Sequence, residues 1–239
     1  MPLPKIATPT YELVLPSNKK TIKYRPFLVK EEKLLVLAIE SEDTKQITTA
    51  VKNVIKSCVL TRGVKVESLP SFDIEYLFLN IRGKSVGEEV EVNITAPDDG
   101  MTQVPVTIAL DEIQVQESDE HNKQIKLDDN LMMEMTYPSL DQFISNNFDM
   151  DGEINIEKSF ELIATCIEKI YSQDEVWSTA DCTKKEVMDF LEQMNSLQFK
   201  QIEKFFSTMP KLSHTVEIVN PKTKVESTIV LEGLSSFFA

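Results

Sequence analysis

The run Asn147-Phe-Asp149-Met-Asp151-Gly152-Glu153-Ile154-Asn155-Ile156-Glu157-Lys158 comes nearest to a metal site in this sequence. Its oxygen-bearing side chains at alternate positions, with glycine at the sixth, match a calcium loop through the ninth position. The twelfth position of such a loop supplies a bidentate Glu. Lys158 places a cation there, and Glu157 is one residue early and points elsewhere. Asp, Asn and Gly also make turns and cap helices, so residues 147–158 read as a capping loop, with weak calcium binding as the minor reading.

Other chemistry is hard to place. Nucleophilic catalysis by Ser or Cys needs a partner base, and there are two histidines, His121 and His214. His121 falls in a polar stretch read as a mobile loop and His214 at the start of a hairpin, so both read as surface residues. Cys58, Cys166 and Cys182 form no Cys-x-x-Cys pair, which argues against structural zinc. Cys58 and Cys166 lie on apolar helical stripes and read as reduced core residues. Neither Gly-x-Gly-x-x-Gly nor a Walker-type loop occurs among only six glycines, so a phosphate cradle has no place. Asp98-Asp99 and Asp128-Asp129 sit in expected turns, where Asp satisfies backbone donors. The expectation is a protein that is not an enzyme and carries no cofactor.

The elements that would position any site follow from periodicity. Tyr11–Leu15 and Thr21–Arg25 flank the turn-forming Pro16-Ser-Asn-Lys-Lys20 and predict a hairpin. Lys30–Glu40 predicts a helix with apolar residues around most of its circumference, which must be largely covered. Ile47, Val51, Val54, Ile55, Cys58 and Val59 mark one face of a second helix that stops at Gly63. Ser71 is placed to cap a third, with Asp73 and Glu75 in its first turn and Arg82, Gly83 and Lys84 suited to its end.

From Gly87 to Pro138 the period becomes two. Val90, Val92 and Ile94 lead through Pro97-Asp-Asp-Gly100 to Val104, Val106 and Ile108, and further extended runs cover 113–115, 124–127 and 131–135. Helical patterning returns with Leu140–Phe148, then Ile156, Phe160, Ile163, Ala164, Ile167 and Ile170 on one stripe. Thr183-Lys-Lys-Glu186 is a capping box, and another helix from Ser196 must end before Pro210. His214–Val219 and Lys224–Leu231 predict a last hairpin. The expected fold is α+β: an N-terminal β-hairpin plus helices (1–87), a small antiparallel β-sheet in the middle (88–138), and a C-terminal helical bundle ending in a β-hairpin (139–239).

A formal charge of −14 repels phosphate and anionic lipid, so nucleic acid and membrane are poor partners. No apolar run approaches the ~20 residues of a bilayer span, and none suits a signal peptide, so neither secretion nor insertion is expected.

Tyr24-Arg-Pro-Phe-Leu-Val-Lys-Glu-Glu-Lys-Leu-Leu35, Leu69-Pro-Ser-Phe-Asp-Ile-Glu-Tyr-Leu-Phe-Leu79, Arg82, Phe205-Phe-Ser-Thr-Met-Pro-Lys-Leu212 and Gly233-Leu-Ser-Ser-Phe-Phe238 resemble the baseplate hub assembly proteins of T-even-like contractile-tail phages. The resemblance spans nearly the full length and is strongest over residues 11–90. It implies a tail-assembly chaperone in the host cytoplasm that binds baseplate hub or tape-measure proteins. The alternative it implies is a structural subunit kept in the virion baseplate, and homo-oligomers fit either role. It implies no catalytic or metal residue. As partner-binding candidates it carries over Arg25, Pro26, Phe27, Phe72, Asp73, Tyr76, Leu77, Arg82, Pro210, Gly233, Phe237 and Phe238. The residues themselves allow core packing for the aromatics, and an ion pair of Arg25 or Arg82 with Asp73 or Glu75.

Overall fold

The structure is a computed structural model that describes residues 6–41, 43–139, 142, 156–233 and 236. The helix expected over Leu140–Phe148, most of the calcium-like run (147–155), and Phe237 and Phe238 lie outside those residues.

In chain order the hairpin β1 (Tyr11–Val14) and β2 (Thr21–Tyr24) precedes three helices, α1 (Val29–Glu40), α2 (Thr44–Cys58) and α3 (Ser71–Val86). Next come β3 (Glu89–Thr95), β4 (Gln103–Ala109), β5 (Gln114–Gln116), β6 (Gln124–Lys126) and β7 (Met132–Met135). Then follow α4 (Ile156–Thr165), β8 (Ile167–Tyr171), β9 (Val176–Ser178), α5 (Lys184–Glu192), α6 (Ser196–Thr208), β10 (Lys211–Val219) and β11 (Glu226–Glu232). These elements form two compact units, one of residues 1–116 with 211–239, the other of residues 117–210.

The C-terminal region is not the expected helical bundle, although its closing hairpin, β10 with β11, does form. The stripe that ran on through Ile167 and Ile170 breaks at Thr165, and those isoleucines enter β8, which pairs antiparallel with β7 and with β9. A spacing of three fits a helix face, but a β-branched run can equally complete a sheet when a partner strand is available. Nor is the middle one sheet. Among the described residues β3 and β4 pair only with each other, β5 joins β10 and β11, and β6 and β7 join β8 and β9.

In the first unit the alternating residues of β3 and β4 turn Val90, Val92, Ile94 and Ile108 inward. They pack against Leu212, Val216 and Ile218 of β10 and Leu79 of α3. Two turns are clasped together beside this core. The Asp98 carboxylate accepts from Asn220 Nδ2 at 2.9 and 3.1 Å and from the Thr223 hydroxyl. Asp99 accepts from the N–H groups of Met101 (3.0 Å) and Thr102 (2.9 Å). Both carboxyls are held below the usual range, first by their side-chain donors. Gly83 lies inside α3 rather than at its end. A Cβ there would meet Leu110 Cδ1 at 3.3 Å, so the helix and the residue after β4 approach closely because the side chain is absent.

In the second unit Ile125, Met133, Met135, Ile167 and Ile170 pack on Val187, Leu191, Ile202 and Phe205. Local signals define its helices. The Thr183 hydroxyl accepts from Glu186 N–H at 3.3 Å while Glu186 accepts from Thr183 N–H at 2.7 Å. Asn195 Oδ1 caps α6 through the N–H groups of Leu197 (2.9 Å) and Gln198 (3.0 Å).

His121 is not a free surface residue. It is half-buried, with Nδ1 3.1 Å from Thr208 Oγ1 and Nε2 3.0 Å from Tyr137 Oη. Its ring centroid is 5.5 Å from Tyr137 and 5.1 Å from Phe205. Burial, then the charge of Lys123, lowers its pKa below 6.5. Because the folded value is depressed, the unfolded chain takes up this proton first on acidification. The stability that His121 confers above about pH 6.5 is therefore lost as pH falls through the folded value. His121→Phe keeps an aromatic ring and removes the proton. Its thermal midpoint should fall less than that of the wild type between about pH 7 and about pH 5, and an equal fall in both would rule out this origin.

Candidate interaction surface

The passage from β2 to α1 is tied at several points. Arg25 N–H donates to the Cys58 carbonyl at 3.0 Å, and Phe27 N–H donates to Ser85 Oγ of α3 at 2.9 Å. Pro26 holds φ near the value that leads out of the strand. Arg25 Nη1 donates to the Pro26 carbonyl at 2.8 Å and Nη2 to Glu31 Oε1 at 3.0 Å. Glu31, at the third position of α1, reaches back to accept from Leu28 N–H at 2.8 Å, one half of a capping box. Burial alone would raise the Glu31 carboxyl. Arg25, Leu28 N–H and Lys30 outweigh burial and hold it below the usual range.

Past this anchor α1 is covered on one narrow side. Glu31 and Ala38 are its buried residues. Leu28 is 41% exposed, Val29 79%, Leu34 53%, Val36 47%, Leu37 52% and Ile39 61%. At 100° per residue the inward direction passes through Glu31 and Ala38, and the opposite one through Lys33, Val36, Leu37 and Glu40. Burying such a side chain is worth about 1.5–3 kcal/mol, so a run of this kind marks a contact surface. A helix apolar around its circumference needs cover, as the sequence indicated, yet its own unit covers only the Glu31–Ala38 side.

The resemblance-derived candidates mostly lie inside. Pro26, Phe27, Phe72, Asp73, Leu77 and Pro210 are buried, while Arg25, Tyr76, Arg82 and Gly233 are partly so. Tyr76 packs against the β3–β4 and β10 core. Gly233, at φ +72°, donates its N–H to the Leu212 carbonyl at 2.8 Å. Arg25 joins Glu31 rather than Asp73 or Glu75. Asp73, fully buried, accepts from Ser17 N–H at 3.0 Å and from its hydroxyl, tying the β1–β2 turn to the start of α3. Burial raises the Asp73 carboxyl despite those donors. Ser71 does not cap α3, since Pro70 stands at the cap and Ser71 is the first helical residue. Burial also lowers the Arg82 pKa.

The chemistry sought in the sequence is not brought together among the described residues. Among the described residues no group of three or more His, Cys, Asp or Glu could hold a metal, and no helix is long and apolar enough to cross a membrane. Burial pushes the Cys58 thiol to about 11 and the Cys166 thiol to about 12, so neither forms a thiolate at neutral pH. His214, on β10, has its Nε2 3.9 Å from Glu112 Oε2. In the second unit an open groove of about 500 Å³ runs between Phe160, Leu191, Met194 and Phe199, with Glu192, Lys200 and Glu203 also lining it. Neither histidine lines it.

No curated protein and no solved structure matches the chain significantly. The family described as T4 bacteriophage base plate protein matches residues 8–239, and with nearly the whole chain inside that match, this protein belongs to that family and has its role in the phage baseplate.

Proposed function

We propose that the chain is a non-enzymatic assembly factor, a chaperone that helps build the baseplate hub by binding hub or tape-measure proteins through α1. The observation that carries this reading is the exposed apolar side of α1, held out from its unit by the Arg25–Glu31 anchor. Apolar helices recognise apolar helices and grooves, and a surface of this type is costly to leave in water.

Co-expression with hub and tape-measure proteins should give a captured partner. Leu37→Glu, at a position 52% exposed and so tolerant of charge, should weaken that capture by about tenfold or more. Capture of none of them, or capture indifferent to Leu37→Glu, would count against the reading. The family's description as a base plate protein favours a second reading, a structural subunit retained in the particle. Mass spectrometry of purified virions separates the two: a chaperone is absent, a subunit present in fixed copy number.

A further inference from the structure

The outward side of α1 is complementary to itself. In an antiparallel pair of identical helices related by a two-fold axis, each residue faces one that lies equally far beyond the axis. An axis between Val36 and Leu37 gathers Val36 and Leu37 of both copies at the centre of the contact and sets Lys33 against Glu40 of the second copy, twice. Moving the axis onto Val36 puts Lys33 against Ile39 and Glu32 against Glu40. Moving it onto Leu37 puts Leu34 against Glu40. One register therefore matches apolar with apolar and cation with anion, and its neighbours do not. Lys33 and Glu40 are exposed, and neither has an ion-pair partner among the described residues. Although the chain carries −14 overall, α1 with its anchor sets Arg25, Lys30 and Lys33 against Glu31, Glu32 and Glu40, so a second copy meets no local excess of negative charge.

We propose that the free protein pairs with a second copy through α1, antiparallel, with the two-fold axis between Val36 and Leu37. This rests on the reading of α1 as a contact surface and names an occupant for it. A 12-residue helix is about 18 Å long and about 10 Å wide, well below the ~800 Å² per partner of a standard stable interface. The pair is accordingly weak and reversible. Self-pairing covers the apolar side until a baseplate partner replaces the second copy.

Sedimentation velocity on the full chain from about 10 to about 500 µM should show a concentration-dependent monomer–dimer equilibrium. Lys33→Glu and Glu40→Lys should each weaken it by about tenfold, because each sets like charges face to face. The double variant, which restores opposite charges in exchanged positions, should return to within about threefold of wild type. Matching circular dichroism melts confirm that these exposed substitutions leave the fold intact. A wild-type chain that stays monomeric throughout, a dimer indifferent to the single swaps, or a double variant that fails to recover each overturns the proposal. A monomeric chain that still captures a hub protein through Leu37 would remove self-pairing and leave the contact reading standing. A dimer that captures no tail protein would do the reverse.

Discussion

Arg25→Met should lower stability at pH 7 by about 3 kcal/mol in chemical denaturation, because it leaves the Glu31 carboxylate buried without its main counter-charge. Glu31 is only 3% exposed, and after the substitution it retains Leu28 N–H and the exposed Lys30, whose Nζ lies 3.3 Å away. Adding Glu31→Gln should restore most of the loss, since removing both charges removes the burial penalty. The pH dependence identifies the cause. In the wild type the folded Glu31 value is depressed, so the pair's contribution is present above the ordinary carboxylate range and is lost as pH falls through the folded value. In Arg25→Met burial is no longer outweighed, Glu31 can accept a proton, and the deficit should shrink near pH 4. A deficit of equal size at about pH 4 and about pH 7 would mean that lost packing of the arginine stem, not charge, is responsible. The same junction holds α1, so the variant should also weaken capture of tail proteins.

Glu75→Gln should act in the opposite sense. Glu75 lies on α3, is 8% exposed, and burial pushes its carboxyl up from 4.5 to about 7. With the folded value raised, its contribution is fully present below the unfolded pKa and declines as pH rises until the folded value is passed. At about 1.4 kcal/mol per pH unit, the interval from 4.5 to about 7 amounts to about 3 kcal/mol of stability lost by pH 8. Glutamine keeps the shape and cannot ionise. The variant should match the wild type near pH 4 and exceed it by up to about 3 kcal/mol at pH 8, read by urea denaturation across that range. Identical curves at both ends would show that the carboxyl reaches water or a partner on ionisation.

These two groups also show where sequence reasoning stopped. Asp73 and Glu75 both read as first-turn acids complementing the α3 dipole, yet one is anchored by Ser17, 56 residues away, and the other is desolvated with burial as the sole cause of its shift. The sequence allows Arg25 either as a partner; the nearer Glu31 takes it, because the strand-to-helix passage folds back on the first turn of α1. Its neighbours in sequence place His121 in a mobile surface stretch, since nothing nearby foretells the Thr208 hydroxyl, 87 residues away. α1 is the informative case. Its apolar circumference was legible and demanded cover, but only the placement of Glu31 and Ala38 shows which side the unit supplies and which it leaves open.

By itself the sequence determined what depends on neighbours within a few residues. The β1–β2 and β10–β11 hairpins, the three N-terminal helices, the capping box at Thr183–Glu186 and the stop before Pro210 all follow from backbone preference and local hydrogen bonding. Tertiary structure decided how strands combine: β5 and β10 meet across nearly a hundred residues, and Ile167–Tyr171 becomes a strand because β7 and β9 offer their edges. It also decided which polar groups lose water. Pairing and desolvation depend on atoms that chain folding brings together from far apart, and periodicity in a single segment carries no record of them.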